Sequence, residues 1–328
     1  MLTKRQNFIE TITGGNPDRF VNQYEAFALD FAVDPLRSLS SRPVPDVPYK
    51  DSWGVTQVLH GPGVMPIHDE ELIVLKDILE WRDAVKAPSL DIPESAWEGL
   101  GRFAEEVDRE EQFFTMATLP GLLERFHHLM GMEGAMVALA LEPEESQALV
   151  NFIVDWEIEY AAMKIARVAP EVLFRHDDWG SSHSTLISPA MFEEIFLPPY
   201  KRLYGWYKDN GIKYIVHHSD SYAATLVPYM IEMGIDVWQG VMSTNDTPEL
   251  IRQYGGQISF MGDIDNLIVD KVDWSPEVIR EQVEKSCRSC GKHYYIPSSL
   301  MGLPSSMFPG VYEAVSAEIN RMSAMMFA

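Results

Sequence analysis

The chain has 328 residues, of which 46% are hydrophobic, and it carries a formal net charge of −23 at pH 7. This length allows one large domain or two small ones, and no apolar run approaches the ~18 residues of a membrane span. So negative a charge argues against nucleic acid or anionic lipid as a partner, and leaves room for a partner protein with a basic face.

Cysteine usage and the N-terminus indicate the compartment. The two cysteines, Cys287 and Cys290, cannot form a disulfide framework. The N-terminus, MLTKRQNFIETITGG, is polar and amphipathic, without the apolar core of a signal peptide. We therefore expect a cytoplasmic protein. Because the Cys-x-x-Cys pair has no second pair nearby, we expect no zinc ribbon there. Because the pair lies at a predicted helix end opposite the active face, we expect no redox centre either.

The first half of the chain has an irregular pattern. Leu2 to Ile12 is predicted to be a helix that ends at Gly14-Gly15. FVNQYEAFALDF is a strand candidate, and DSWGVTQVLHGPG is a candidate hairpin. A helical pattern runs from Asp77 to Glu110. The strand QFFTMAT follows it, and a long helical region then extends over 121–168.

The second half of the chain alternates regularly between strand and helix patterns. Strands are predicted at 171–175, 212–217, 236–239, 257–262 and 293–297, each followed by a helix. Three of these helices begin with a hydroxyl residue and proline, at Ser188-Pro189, Thr247-Pro248 and Ser275-Pro276. Repeated strand–loop–helix units imply a parallel sheet. We predict an α/β fold, a (β/α)8 TIM-type barrel with N-terminal additions, formed by residues 1–328 as one domain.

Polar clusters follow four of the predicted strands. They are Arg175-His176-Asp177-Asp178, His217-His218-Ser219-Asp220, Gln239, and Gly262 with Asp263-Ile264-Asp265. Active sites of such barrels lie at the C-terminal ends of the strands. We therefore expect these four clusters to converge on one mouth.

His218, Asp220 and Asp178 are the candidate catalytic residues. His218 and Asp220 are two residues apart beside a strand, so both could point at one ligand or metal ion. Two ligands do not complete a metal site, and a hydrogen-bonded pair or a substrate contact remains an alternative. Asp178 is favoured over Asp177 as an acid, base or cation anchor because Trp179-Gly180 then turns the chain, and Asp177 is left to cap the loop.

Further side chains near these strand ends are candidates for contacts with a substrate. His183 lies on the same loop as Asp178, although an exposed loop histidine is equally consistent with the sequence. One of Asp263 and Asp265 should face the site while the other caps the next segment. The predicted substrate-binding set is Tyr24, Glu25, His176, Trp179, His183, Gln239, Asp263 and Asp265.

The strand ends and their spacing resemble the uroporphyrinogen decarboxylase superfamily. The segments that carry the resemblance are HDDWGSSHSTLISPAMFEEIFLPPYKRLYGWYKDNGIKYIVHHSDS, PYMIEMGIDVWQ and GGQISFMGDID, within 115–328. The superfamily includes uroporphyrinogen decarboxylase, which has an N-terminal arginine-bearing motif such as RQAGRY, and cobalamin-dependent methyltransferases. Here the corresponding segment is PDRFVNQYEAFALD, without that motif.

The methyltransferases of the superfamily bind zinc through an HxC motif and a later cysteine. Here the motif becomes His218-Ser219-Asp220, and the later region, IPSSLMGLPSS, has no thiol. Ser299 in that region is added to the predicted substrate contacts. The resemblance implies an O-demethylase-like enzyme that moves a methyl group from a small methoxylated, aromatic compound to cobalamin on a corrinoid protein. Zinc on His218 and Asp220, and a homodimer, are possible under it. The alternatives are a decarboxylase-like lyase and a non-catalytic small-molecule-binding barrel.

Overall fold

A curled, fully parallel sheet forms the centre of the protein. The structure, a computed structural model, describes residues 1–40, 43–61, 63–300 and 303–328. Its strands are β1 (Phe27–Leu29), β2 (Tyr49–Lys50), β3 (Thr56–His60), β4 (Gly63–Pro66), β5 (Phe113–Thr118), β6 (Val172–His176), β7 (Tyr214–His218), β8 (Val237–Val241), β9 (Ser259–Ile264) and β10 (Tyr295–Ser299).

Seven of these strands form the barrel sheet, in the order β1-β5-β6-β7-β8-β9-β10. The segment before β1 adjoins the other edge, since the Gln23 backbone N–H donates to the Pro297 carbonyl (3.3 Å). The predicted barrel-type α/β fold is confirmed. The described residues supply seven parallel strands rather than eight, because FVNQYEAFALDF forms a turn and one short strand.

Helices follow the barrel strands of the second half of the chain, and others lie in the N-terminal part. They are α1 (Lys4–Thr13), α2 (Pro35–Leu39), α3 (Trp81–Ala84), α4 (Glu94–Glu106), α5 (Leu122–Met130), α6 (Met132–Leu141), α7 (Pro143–Val168), α8 (Pro189–Ile195), α9 (Leu197–Asp209), α10 (Val227–Met233), α11 (Thr247–Tyr254), α12 (Asn266–Val269), α13 (Pro276–Cys290) and α14 (Val311–Met326).

The N-terminal additions form a small antiparallel sheet of β2, β3 and β4. The predicted hairpin is present in the pairing of β3 with β4, whose strands begin and end slightly later than DSWGVTQVLHGPG indicates. The helical pattern from Asp77 to Glu110 becomes two separate helices, α3 and α4. No helix in the described parts of the chain is long and apolar enough to cross a membrane.

Two of the three predicted helix caps are present. The Ser188 hydroxyl accepts from the Met191 N–H (3.1 Å), and the Ser275 hydroxyl accepts from the Val278 N–H (3.3 Å). At the third helix, α11, the cap is Asp246 rather than Thr247. Asp246 adopts a left-handed φ of 54°, and its side chain accepts from the Glu249 N–H. Aspartate tolerates this conformation because its short side chain can hydrogen-bond locally.

Alternation along the strands determines which side chains enter the barrel. Val172, Val216 and Val237 pack with Met261 and Ile296 in one buried apolar cluster inside the barrel. Further along the same faces lie polar side chains at the strand ends: His218 and Gln239 two residues after Val216 and Val237, and His176 four residues after Val172. The barrel floor is therefore apolar, and the chemistry-bearing residues lie above it at the mouth.

Candidate functional site

His176 and His218 form the centre of the site. They are paired in register on β6 and β7. Their imidazole rings are stacked, with centroids 4.4 Å apart and planes 22° apart. Asp178, just past β6, lies beside both rings: its carboxylate oxygens are 3.9 Å from His176 Nε2 and 4.0 Å from His218 Nε2. The strand register thus brings three predicted site residues together.

Each imidazole is held from behind at its Nδ1 atom. Glu124, on α5, lies with Oε2 at 2.8 Å from His176 Nδ1. Gln239, on β8, contacts His218 Nδ1 through Oε1, while its Nε2 donates to the Leu300 carbonyl (3.1 Å). With the amide oriented in this way, Oε1 can only accept, so His218 Nδ1 must carry the proton. His218 Nε2 is then an acceptor or a ligand facing Asp178.

Asp220 joins this cluster through its backbone. Its N–H donates to Asp178 Oδ1 (2.9 Å), and its carboxyl group is half-buried. Burial, followed by the nearby Asp178 charge, raises the pKa of Asp220 to about 6. Burial also raises the pKa of Asp178 to about 6, against the lowering effect of His176. Two carboxyl groups close together in a poorly hydrated place resist ionising at the same time.

The two histidines have opposite charge preferences. Burial, with the neighbouring His176, lowers the pKa of His218 to about 4. Burial would also lower the pKa of His176, but the Glu124 carboxylate outweighs it and raises that pKa to about 10. The same pairing holds the pKa of Glu124 at about 2, in spite of its burial. The His218 ring is therefore neutral, and the His176 ring is paired with the Glu124 carboxylate.

His176, Asp178 and His218 together could hold a metal ion. One ligand atom from each lies within 4.8 Å of the other two. Among the described residues, no other group of three or more histidine, cysteine or acidic side chains meets this test. Asp220 is outside the group, so the predicted pair of His218 and Asp220 is not the ligand set that the geometry favours.

Several other predicted site residues lie close to the cluster. Gln239 contacts His218 directly. Tyr24 is buried, and its ring centroid is 6.0 Å from that of Phe174, which in turn is 6.1 Å from His218. The Ser299 hydroxyl is buried and donates to Gln23 Oε1 (3.0 Å), so it closes the barrel instead of offering a free hydroxyl.

Trp179, His183 and Glu25 do not line this site. Trp179 is fully buried behind the strands, where its ring stacks on His217 at 4.0 Å. His183 is exposed on the loop. Glu25 accepts from the Asn22 N–H (3.0 Å) and lies 3.9 Å from Arg19, so it stabilises the turn before β1. For these three residues the structure corrects the predicted contacts with substrate.

Asp263 and Asp265 also fall outside the cluster. Strict alternation from the inward-facing Met261 would turn Asp263 into the barrel. Gly262, with φ 149°, and Asp263, with φ 67°, interrupt the strand geometry, and Asp263 turns outward to accept from Ser286 on α13 (2.7 Å). Asp265 caps α12 by accepting from the Leu267 N–H (2.8 Å). Asp265 caps a helix, as predicted for one of the two aspartates, but Asp263 does not face the mouth of the barrel.

Glu124 is the site residue that sequence reasoning missed. It lies in the first turn of α5, three residues after Gly121, whose N–H donates back to it (3.2 Å). The available signal was a carboxylate in the first turn of a helix that directly follows a barrel strand. Such a position places a side chain at the mouth of a barrel.

Asp177 anchors the helix that carries Glu124. Its carboxylate accepts from the Leu123 and Glu124 N–H groups (3.0 and 2.9 Å). It also accepts from Trp179 Nε1 (3.1 Å) and from the Tyr200 hydroxyl. An acidic cap at a helix N-terminus also interacts favourably with the helix dipole. Asp177 therefore fixes Glu124, and through it the orientation of His176.

Comparison with known proteins agrees with this picture. The model of the family described as uroporphyrinogen decarboxylase (URO-D) matches residues 71–321. The chain belongs to this family. The match confirms the resemblance seen in the sequence. No curated protein matches this chain.

A solved structure shows the same fold at low sequence identity. A methyltransferase from Methanosarcina mazei aligns over 98% of this chain and 99% of its own, with a TM-score of 0.69 and 11% identity. A Cellulomonas fimi endo-β-1,4-mannanase double mutant covers 74% of this chain and 61% of its own at 12% identity, and its TM-score of 0.43 is too low to bear on fold or function. At 11% identity the first likeness concerns the fold.

Proposed function

We propose that this family member transfers a methyl group from a small methoxylated, aromatic compound to cobalamin on a corrinoid carrier protein. The cluster of His176, Asp178, His218 and Asp220 at the barrel mouth carries the proposal. The full-length structural likeness to the Methanosarcina mazei methyltransferase supports it. So does the absence from the sequence of the arginine-bearing decarboxylase motif.

The difficult part of this reaction is the leaving oxygen. As the methyl–oxygen bond breaks, the methyl group passes to the cobalt acceptor and the electron pair of the bond remains on oxygen. That oxygen must be protonated or bound by a Lewis acid as the bond breaks. Asp178 and Asp220, whose pKa values burial raises to about 6, can carry that proton. His218 Nε2 and Asp178 can instead act as ligands of a Lewis acid.

Aromatic side chains beneath the cluster suit a ring-bearing substrate. Tyr24, Phe174 and His218 form a continuous row inside the barrel, with successive ring centroids about 6 Å apart. Aromatic pairs at this separation prefer edge-to-face or offset contacts. A methoxyarene could lie against this row with its ether oxygen at the polar cluster, where the methyl group remains open to a carrier docked at the mouth.

A uroporphyrinogen-type substrate fits this mouth poorly. Such a substrate bears many carboxylates, whereas the mouth itself carries Glu124, Asp178 and Asp220. In the segment where the decarboxylase has its arginine motif, Arg19 donates to the Leu2 carbonyl (3.1 Å) and to Asp18 (2.6 Å). Like charges brought together in one site repel, and that cost disfavours binding. A non-catalytic binding barrel remains the rival proposal.

The test is methylation of Co(I), either as free cobalamin or on a carrier protein that another methyltransferase can methylate. A panel of methoxyarenes, ethers, amines and methanol is supplied, and the change in the visible corrinoid spectrum is followed. His218→Ala and Asp178→Ala should each lower the rate by about 100-fold or more, the scale of general acid–base assistance. His293→Ala and Asp273→Ala, both at exposed positions, are matched controls. No methylation from any donor would refute the proposal and favour the binding barrel.

A further inference from the structure

We infer that His176 Nε2, His218 Nε2 and a carboxylate oxygen of Asp178 form the seat of a single transition-metal cation of the zinc class. Asp220 is outside this seat. The inference concerns the same site as the proposed function, and its catalytic meaning rests on that function. Binding of the cation can nevertheless be measured without any methyl transfer.

The spacing of the three groups suits one ion. The Asp178 oxygens lie 3.9 and 4.0 Å from the two Nε2 atoms. Ligand atoms at zinc–nitrogen and zinc–oxygen distances of about 2.0–2.2 Å in a tetrahedron are about 3.3–3.6 Å apart. One ligand atom from each residue lies within 4.8 Å of the other two. To reach tetrahedral spacing these atoms must approach one another by up to about 1.2–1.5 Å, which rotation of the side chains can provide.

The partners at the back of each ring prepare the imidazoles for this role. Gln239 Oε1 accepts from His218 Nδ1, so the lone pair of His218 is on Nε2. Glu124 holds His176 at Nδ1 (2.8 Å) and likewise directs its Nε2 toward Asp178. A carboxylate or amide behind a ligating histidine is the usual outer partner in protein metal sites, where it fixes tautomer and ring orientation.

The donor set also indicates which cation fits. Two imidazoles and one carboxylate suit zinc, cobalt, iron or nickel, whereas magnesium and calcium prefer oxygen ligands alone. Three protein ligands leave one coordination position open, as in catalytic zinc sites. An ether oxygen could occupy that position, where the cation would act as a Lewis acid on the leaving group.

The position of Asp220 explains why His218 and Asp220 do not both serve as ligands of the proposed ion. β7 ends at His218, so the alternation that would place both side chains on one face no longer applies at Asp220. Instead, its backbone N–H donates to Asp178 Oδ1 (2.9 Å) and orients that carboxylate. Asp220 thus supports a ligand through its backbone instead of acting as a ligand itself.

The test is titration of chelator-treated, full-length protein with Co²⁺ and Zn²⁺. We expect one bound ion per chain, seen in the visible absorption of bound Co²⁺ and in displacement by Zn²⁺. Asp178→Asn and His176→Gln should weaken binding by about 100-fold or more. Glu124→Gln should weaken it by about 10- to 100-fold, the scale of outer-partner changes. Asp220→Asn should keep binding within about threefold of the original protein, as should the exposed control His293→Gln.

Thermal unfolding with and without Zn²⁺ distinguishes a variant that has lost the ion from one that has failed to fold. A cation that binds the folded state raises the unfolding temperature. The rise should occur in the original protein and in Asp220→Asn, and it should vanish in Asp178→Asn, whose far-ultraviolet circular dichroism must be unaltered. If the original protein binds no Co²⁺, the inference is overturned. If Asp220→Asn loses the ion as completely as Asp178→Asn, the His-x-Asp pair is the seat instead.

The outcomes also separate the seat from the proposed function. Stoichiometric binding at these three residues without methylation from any donor would leave the seat standing and remove the methyltransferase. Methylation by metal-free protein at the original rate would support the methyltransferase and overturn the Lewis-acid role of the seat.

Discussion

His176 and His218 lie directly opposite each other on neighbouring parallel strands, with their rings stacked at 4.4 Å. The same register places His218 opposite Gln239 on β8. One row across three strands therefore contains both imidazoles and one of their orienting partners. A shift of one residue in the pairing of β6 would turn His176 to the outside of the barrel. The site depends on strand register more than on loop conformation.

Gln239→Leu should lower the methylation rate by about 10- to 100-fold with little change in fold. The substitution removes the acceptor of His218 Nδ1, so the ring is no longer held in the tautomer that presents Nε2 to Asp178. The checks are the rate with a methoxyarene and the tautomer of His218 by nitrogen NMR. Gln257→Leu, at an exposed position, is the control. An unchanged tautomer in Gln239→Leu would contradict the orienting role.

Asp177→Asn should destabilise the protein by about 1–3 kcal/mol, the cost of leaving a buried donor without its acceptor. The new amide group would face N–H and O–H donors that now all point at the carboxylate. The measurement is the urea midpoint, with exposed Asp209→Asn as control. Gly121→Ala should disturb the same place, because an added Cβ would lie 2.0 Å from Asp177 Cβ. Equal midpoints for Asp177→Asn and Asp209→Asn would count against the anchoring role.

The protein should not convert uroporphyrinogen to coproporphyrinogen. The mouth presents carboxylates, and Arg19 in the segment of the missing motif is already bound to Asp18. The measurement is porphyrin analysis of the purified protein incubated with uroporphyrinogen, beside a true decarboxylase as positive control. Turnover above the uncatalysed background would show that this branch assignment is mistaken.

Stability should fall between about pH 6.5 and pH 4, in part because of His127. Burial lowers the pKa of this histidine from 6.5 to about 4. In that range the unfolded chain binds a proton that the folded one does not, so unfolding becomes easier as the pH falls. Each such histidine contributes up to about 1.4 kcal/mol per pH unit to the change in the free energy of unfolding.

His127→Phe should make the decline of urea midpoints between pH 7 and pH 4.5 less steep. His293→Phe, at an exposed position, controls for the change of side chain, and an equal decline in both variants would refute the assignment.

The alternating half of the chain was predictable because each β/α unit carries its own local signals. Buried strands appear as short apolar runs, and Ser188-Pro189 and Ser275-Pro276 mark helix starts. The convergence of His176, Asp178 and His218 followed from the rule that strand ends meet at one mouth. That rule assigns a side chain to the mouth only while strand geometry persists.

A departure from ideal strand geometry explains why the prediction for Asp263 was wrong. At Gly262 the backbone reaches φ 149°, and an added Cβ would lie 2.6 Å from the Val241 carbonyl oxygen, so Asp263 turns outward. Gly240 introduces a bulge in the same pair of strands. These conformations depend on contacts between strands that are distant in sequence. Glu124 was missed for a related reason: its partner, His176, is 52 residues away, and only the folded register brings the two together.

Lys164, deep on α7, has a consequence for anyone who shortens this chain. It is 1% exposed, and its ammonium group lies 2.6 Å from Asp30 and 3.1 Å from Asp34. Both partners precede residue 71, where the match to the family model begins. A truncated version that starts there would leave a buried positive charge without either counterion, at a cost of about 3–5 kcal/mol. Since domains are stable by only about 5–15 kcal/mol, expression of the family-matched segment alone, which also lacks β1 of the barrel sheet, should give insoluble protein.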